Sequence, residues 1–129
     1  MIVKAYPLVS SLHDQNVVEE TTYTFFGKLE NLTGFHFVLE KNANKLYDNA
    51  DLSLILVQTG GSENYFLRDL HLLKPPFLLL TYGFSNSLAA AIEILTYINN
   101  HNLNGEILHG SEEYISQRLI SFMDGNTHE

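Results

Sequence analysis

Short apolar runs alternate along this chain with longer stretches whose apolar residues recur every three or four positions. The runs are "MIVKAYPLV" at 1–9, "FHFVLE" at 35–40, "LSLILVQ" at 52–58, "PFLLLTY" at 76–82 and "GEILHG" at 105–110. Each has the length of a strand. The third and fourth show little alternation, which predicts strands covered on both faces, as in a parallel sheet flanked by helices. The first and fifth are weaker and, on pattern alone, read as flanking or edge strands.

Between the runs the period changes. From about His13 to Leu32, the residues Val18, Thr22, Phe25, Leu29 and Leu32 fall on one helical face, with Asp14 as N-cap and Gly34 as stop. The connection "KNANKLYDNAD" has room for only two helical turns around Leu46 and Tyr47. A third helix starts near Ser62, carries Tyr65, Phe66, Leu70 and Leu73, and ends at "KPP", where proline cannot continue it. A fourth, "NSLAAAIEILTYINNHN", is capped by Asn86 or Ser85 and offers Leu88, Ala91, Ile92, Leu95 and Ile98 as its apolar stripe. The last, "SEEYISQRLISFM", has Ser111 as cap and Glu112 and Glu113 at the positive end of the helix dipole. It buries Ile115, Leu119 and Phe122 and stops at Asp124-Gly125.

Strand and helix alternate without exception, which predicts one α/β domain over residues 1–129. The expected architecture is a doubly wound, five-stranded parallel sheet in a flavodoxin- or Rossmann-like three-layer sandwich, with strand order 2-1-3-4-5. That order would move the first strand into the interior. Ligands of such sheets sit at the carboxyl ends of the strands, at the switch point between the first and third. The loops on that edge are Pro7 to His13, Thr59 to Glu63, Tyr82 to Ser87, and His109 to Ser111.

Composition narrows the chemistry. A chain of 129 residues with 45% hydrophobic content can bury one core. It has no cysteine, so neither disulfides nor thiolate metal sites arise, and a reducing, cytoplasmic setting is the expectation. No segment approaches the roughly 18 apolar residues of a membrane span, and the N-terminus lacks a signal-peptide core, so no membrane association is expected. The net charge is −8, from seven Lys plus Arg against fifteen Asp plus Glu, and the basic residues are scattered. Nucleic acid and polyanionic substrates are thereby disfavoured; a neutral polyol, or a metal held by carboxylates, is not.

The stretch "TGGSE" carries two readings. Gly60 and Gly61 can present backbone N–H groups and Ser62 opens a helix, as in a phosphate cradle, but Glu63 already occupies that positive potential and no Walker lysine follows. What remains is a tight strand-to-helix turn with a dipole-complementing Glu63, or a polar contact to an uncharged ligand. In "YGFSNSL", Ser85, Asn86 and Ser87 cap a helix or bond a sugar hydroxyl, and Gly83 lets the chain turn. His109, before Gly110, and His13 read as hydrogen-bonded structural histidines, or as groups that titrate or ligate a metal. Receiver-domain acidic positions and a G-x-S-x-G elbow are absent, and "SSLHDQN" is a poor flavin-phosphate loop.

Residues 51–110 also carry a series of motifs in order: Thr59-Gly60-Gly61-Ser62-Glu63, Lys74-Pro75, Gly83 with Asn86, Ser87, Leu88, Ala90 and Ala91, and Leu108-His109-Gly110. In this the chain resembles the N-terminal region of the L-fucose isomerase/L-arabinose isomerase-like family, over residues 50 to 120. The resemblance implies part of a metal-dependent ketol isomerase-like enzyme, acting on an aldose–ketose pair and self-associating. It also implies that this portion is not catalytic alone: the family's metal ligands lie in later domains, so a divalent metal, manganese, is expected only with those, and no cofactor in this chain. Its role would be assembly and the covering of a sugar site, with Thr59, Gly60, Gly61, Ser62, Glu63, Tyr82, Gly83, Asn86, Ser87 and His109 as the substrate-binding candidates. The alternative is a stand-alone polyol-binding or interaction domain of the same fold.

Overall fold

Neighbouring residues of a strand point to opposite faces of the sheet, and in the middle of this chain both sets are apolar. The computed structural model describes residues 1–8, 15–82 and 87–125. Its elements are β1 (Ile2–Leu8), α1 (Gln15–Thr33), β2 (His36–Leu39), β3 (Leu52–Val57), α2 (Ser62–Asp69), β4 (Phe77–Thr81), α3 (Ser87–Asn100), β5 (Gly105–Leu108) and α4 (Glu112–Gly125). The strands form one sheet in the order β2-β1-β3-β4-β5, parallel throughout, as the alternation of elements predicts.

Two apolar layers result. Val3, Ala5, Leu54, Leu56, Leu78 and Leu80 face Phe25, Phe26 and Leu29 of α1 and Ile115 and Leu119 of α4. On the other face Tyr6, Leu8, Ile55, Val57, Phe77 and Leu79 meet Phe66 of α2 and Ala90, Ala91, Ile94 and Ile98 of α3. The sheet is therefore wound on both sides, and each of its large core side chains contributes roughly 1.5–3 kcal/mol by leaving water.

Several details depart from the sequence reading. β1 is interior, as the order 2-1-3-4-5 predicts and against the edge-like look of its pattern alone; it pairs with β2 and β3, and the four-residue β2 and β5 form the edges. Pro7 is tolerated inside an interior strand because of parity. The Ala5 carbonyl accepts from Glu40 N–H on the β2 side, and the Ile2 carbonyl accepts from Asp51 N–H on the β3 side. Odd residues of β1 thus face β2, so the N–H that Pro7 lacks would point past the end of β2 at Leu39. The short crossover from β2 to β3 holds one 3-10 turn, Ala43–Lys45, rather than two α turns. Asn42 caps it by accepting Asn44 N–H at 3.0 Å, and fully buried Leu46 closes that side of the sheet.

Two helix faces are also rotated from expectation. In α1 it is Phe26 that joins Thr22, Phe25 and Leu29 in the interior, while Leu32 is 44% exposed. In α3, Ile94 is buried and Ile92 is 50% exposed, so the inward stripe is Ser87, Ala90, Ala91, Ile94 and Ile98. "LAAAIEIL" is apolar nearly all round, so close approach decides which side turns in, and the alanines allow it. β5 is matched to this helix: a methyl group at Gly105 would stand 3.1 Å from both Ile98 Cδ1 and the Phe77 carbonyl oxygen.

One buried polar cluster locks α2 to β1. The Tyr6 hydroxyl donates to Asp69 Oδ2 at 2.6 Å, and Arg68 Nε and Nη2 donate to the two Asp69 oxygens at 2.9 Å each. The guanidinium holds the Asp69 carboxyl below the usual carboxylate range. Burial, and then the bond to Asp69, push the Tyr6 phenol up to about 12. A carboxylate depressed in the fold adds stability above its unfolded pKa of about 3.9, and that stability is lost as pH falls through the depressed value. The raised phenol adds stability that is complete below about pH 10 and is lost as pH rises through the folded value. We expect Asp69→Asn to flatten the acid limb of a stability–pH profile and to cost about 1–3 kcal/mol at neutral pH. Tyr6→Phe should reduce the alkaline limb without abolishing it, because burial also raises Tyr47. Urea melts across the pH range check both.

Candidate functional site at the carboxyl edge of the sheet

β3 delivers its chain into a turn that is fastened from below. Gly61 takes φ +82° at the N-cap of α2, a conformation in which glycine avoids the cost a Cβ would add. Next to it the Ser62 hydroxyl lies 2.7 Å from the Leu8 carbonyl and 2.7 Å from the Thr59 carbonyl, with Thr59 Oγ1 at 3.3 Å. One small, fully buried donor thereby joins the last residue of β1 to the turn after β3. This is the switch point. Thr59 and Ser62 are turned into the protein and committed to the turn, whereas Gly61 is exposed and Gly60 is half-buried. Glu63, in the first turn of α2, complements the helix dipole. It also lines a cavity of about 220 Å³ between α2 and α3, with Phe66, Leu67, Glu93, Ile94 and Tyr97.

The far end of the same edge carries an oriented imidazole. His109 follows β5, and its Nδ1 is 2.7 Å from Thr81 Oγ1, which lies 3.4 Å from the Leu108 carbonyl. If the threonine hydroxyl donates to Nδ1, Nε2 carries the ring proton and is a donor. If Nδ1–H donates, the threonine proton turns to Leu108 and Nε2 is an acceptor. In both cases the ring is held and exposed. Tyr82, half-buried at the end of β4, stacks on Phe25 of α1 with centroids 3.8 Å apart and planes 9° apart. Ser87 is buried at the start of α3. Gly83 and Asn86, with Ser85 and His13, lie outside the described residues.

The sequence reading passed over Gln58. It is the last residue of the run "LSLILVQ", it is buried, and it faces α1, where its Nε2 donates to Thr22 Oγ1. Its Oε1 has no partner. The available signal was an amide closing an otherwise apolar strand, directly before the turn at the switch point.

Among the described residues no three His, Asp or Glu side chains come together in a group that could hold a metal ion. No helix among them is long and apolar enough to cross a membrane. A second cavity, of about 330 Å³, is lined by Tyr47, Asp51, Lys74, Pro76 and Phe122 and opens at the amino ends of β3 and β4, the pole opposite the switch point.

Ser62→Ala removes the buried hydroxyl that ties the turn after β3 to the end of β1, so a loss of about 1–3 kcal/mol is expected. Ser62→Thr, which keeps the hydroxyl but adds a methyl in a filled site, should also destabilise the fold, by about 1–3 kcal/mol. Thermal melts of the two variants beside wild type check this.

No family model matches the chain, and no curated protein matches it. Among solved structures it is similar to a de novo designed Rossmann fold protein, with 15% identity and a TM-score of 0.32 over 96% of this chain and 99% of that one.

Proposed function

We propose that this chain is a recognition domain for a neutral sugar or polyol, serving as the N-terminal domain of a ketol isomerase-like protein and not catalytic by itself. The observation that carries the reading is the edge just described. A glycine turn pinned by Ser62, an oriented His109 and a half-buried Tyr82 stand at the carboxyl ends of three parallel strands, where α/β sheets bind ligands. The groups offered there are a backbone, an imidazole and an aromatic ring, and a net charge of −8 disfavours phosphorylated ligands. Hydroxyl groups suit such a rim: each accepts and donates, and the apolar face of a sugar packs on an aromatic ring. The order of motifs from Thr59 to Gly110 supports the isomerase-like assignment, and with it a role in assembly, in covering a sugar site, and a cytoplasmic setting.

A second reading, a stand-alone polyol-binding module, draws on a different observation: both faces of the sheet are covered by the chain's own helices, so the core is complete without a neighbour.

Calorimetric titration with ribitol, L-arabinitol and L-fucitol should show saturable binding to at least one of them, weakened roughly tenfold by His109→Ala, the loss of one hydrogen bond. A folded wild-type chain that binds none of the three overturns the polyol reading. The chain alone should neither interconvert L-arabinose and L-ribulose nor bind manganese tightly. A stoichiometric, high-affinity manganese site would sink the non-catalytic assignment. Light scattering separates the two readings, with self-association expected for the isomerase-like domain and a monomer for the module.

A further inference from the structure

The residue of greatest interest at this edge is the one whose chemistry is unfinished. Gln58 is 1% exposed, yet only one end of its amide is bonded, Nε2 to Thr22 Oγ1, and Oε1 has no partner. Turning the amide over does not resolve this. Oε1 would then accept from the Thr22 hydroxyl, and Nε2 would be the buried atom left over. A buried polar atom without a partner costs about 1–3 kcal/mol. Nothing in the packing requires an amide here, since methionine has nearly the same shape and carries no such cost.

Its position gives the amide a use. The register that pairs Val57 with Thr81 places Gln58 and Tyr82 side by side one residue further on, both on the face covered by α1. Their partners on α1 are Thr22 and Phe25, one turn apart. Gln58 therefore lies beside the Tyr82–Phe25 stack, one residue past the end of β3 and next to the switch point, with half-buried Tyr82 as its neighbour on that face.

We infer that Gln58 is a binding residue: the free end of its amide hydrogen-bonds one hydroxyl of a polyol held at the carboxyl edge, and the Tyr82 ring forms the adjoining wall. This rests on the polyol reading above and adds to it the atom that reads one hydroxyl among several. A ligand hydroxyl is suited to either end of the amide, because it can donate to Oε1 or accept from Nε2. Discrimination follows: a site built around a buried hydrogen-bonding group rejects an analogue lacking the matching hydroxyl far better than an apolar pocket rejects an added one.

The test is a cycle between protein and ligand, using whichever of ribitol, L-arabinitol or L-fucitol binds best and its mono-deoxy analogues, on wild type and Gln58→Met. For one deoxy position wild type should lose roughly tenfold or more in affinity. Gln58→Met should lose a similar factor for the parent polyol and nothing further for that analogue, a coupling that a purely structural role does not produce. Without ligand, Gln58→Met should melt at or above the wild-type temperature. If wild type binds but Gln58→Met binds equally well, or if the two losses simply add, the inference falls while the polyol reading stands. A variant that melts well below wild type also overturns it, because the amide is then serving the fold. If wild type binds no polyol, both fall together.

Discussion

Burial of the central sheet on both faces is the constraint from which the remaining features follow. β1, β3 and β4 bury side chains against α1 and α4 on one side and α2 and α3 on the other, so almost no polar side chain can sit along them without a partner. Polar groups are driven to the strand ends. The carboxyl edge is where they gather: Gln58, Thr59, Ser62, Thr81 and His109 all lie within a residue or a turn of a strand's last position. Lys4, at 15% side-chain exposure, is an exception in the amino half of β1, and it reaches the Lys45 carbonyl at 2.9 Å and Glu40 at 3.5 Å.

Much of this architecture was legible in the sequence, because the signals were strong and local. "LSLILV" and "FLLLT" lack alternation, and only a strand covered on both faces uses such a run. Alternation with amphipathic stretches then leaves few topologies. What was not legible depended on contacts between distant residues. Ile92 and Ile94 are equally apolar, and only the approach of α3 to Gly105 and the sheet decides which is buried. Leu32 and Phe26 stand in the same relation. β1 read as an edge strand from its weaker apolar pattern, since its pairing with both β2 and β3 cannot be read from one segment.

The site was legible as a place more than as a set of atoms. The carboxyl edge and the "TGGSE" turn follow from fold class and glycine chemistry, and the structure puts the turn at the switch point between β1 and β3. The roles of Thr59 and Ser62 did not follow. In sequence a serine at a helix start is a cap or a ligand contact, and here its hydroxyl reaches back 54 positions to the Leu8 carbonyl. Gln58 was hidden for the opposite reason: as the last letter of a strand it carries no local motif, and its importance lies in a partner that the chain does not supply.

Parity at Pro7 has a further consequence, for the border of the sheet. Past Ala5, β1 offers β2 no backbone donor, so the outer strand has little to gain from extending beyond Leu39. A four-residue border gives a stranger's extended segment few rungs to climb. The same missing N–H that marks an irregularity in the interior thus shields the periphery from edge-to-edge aggregation between copies.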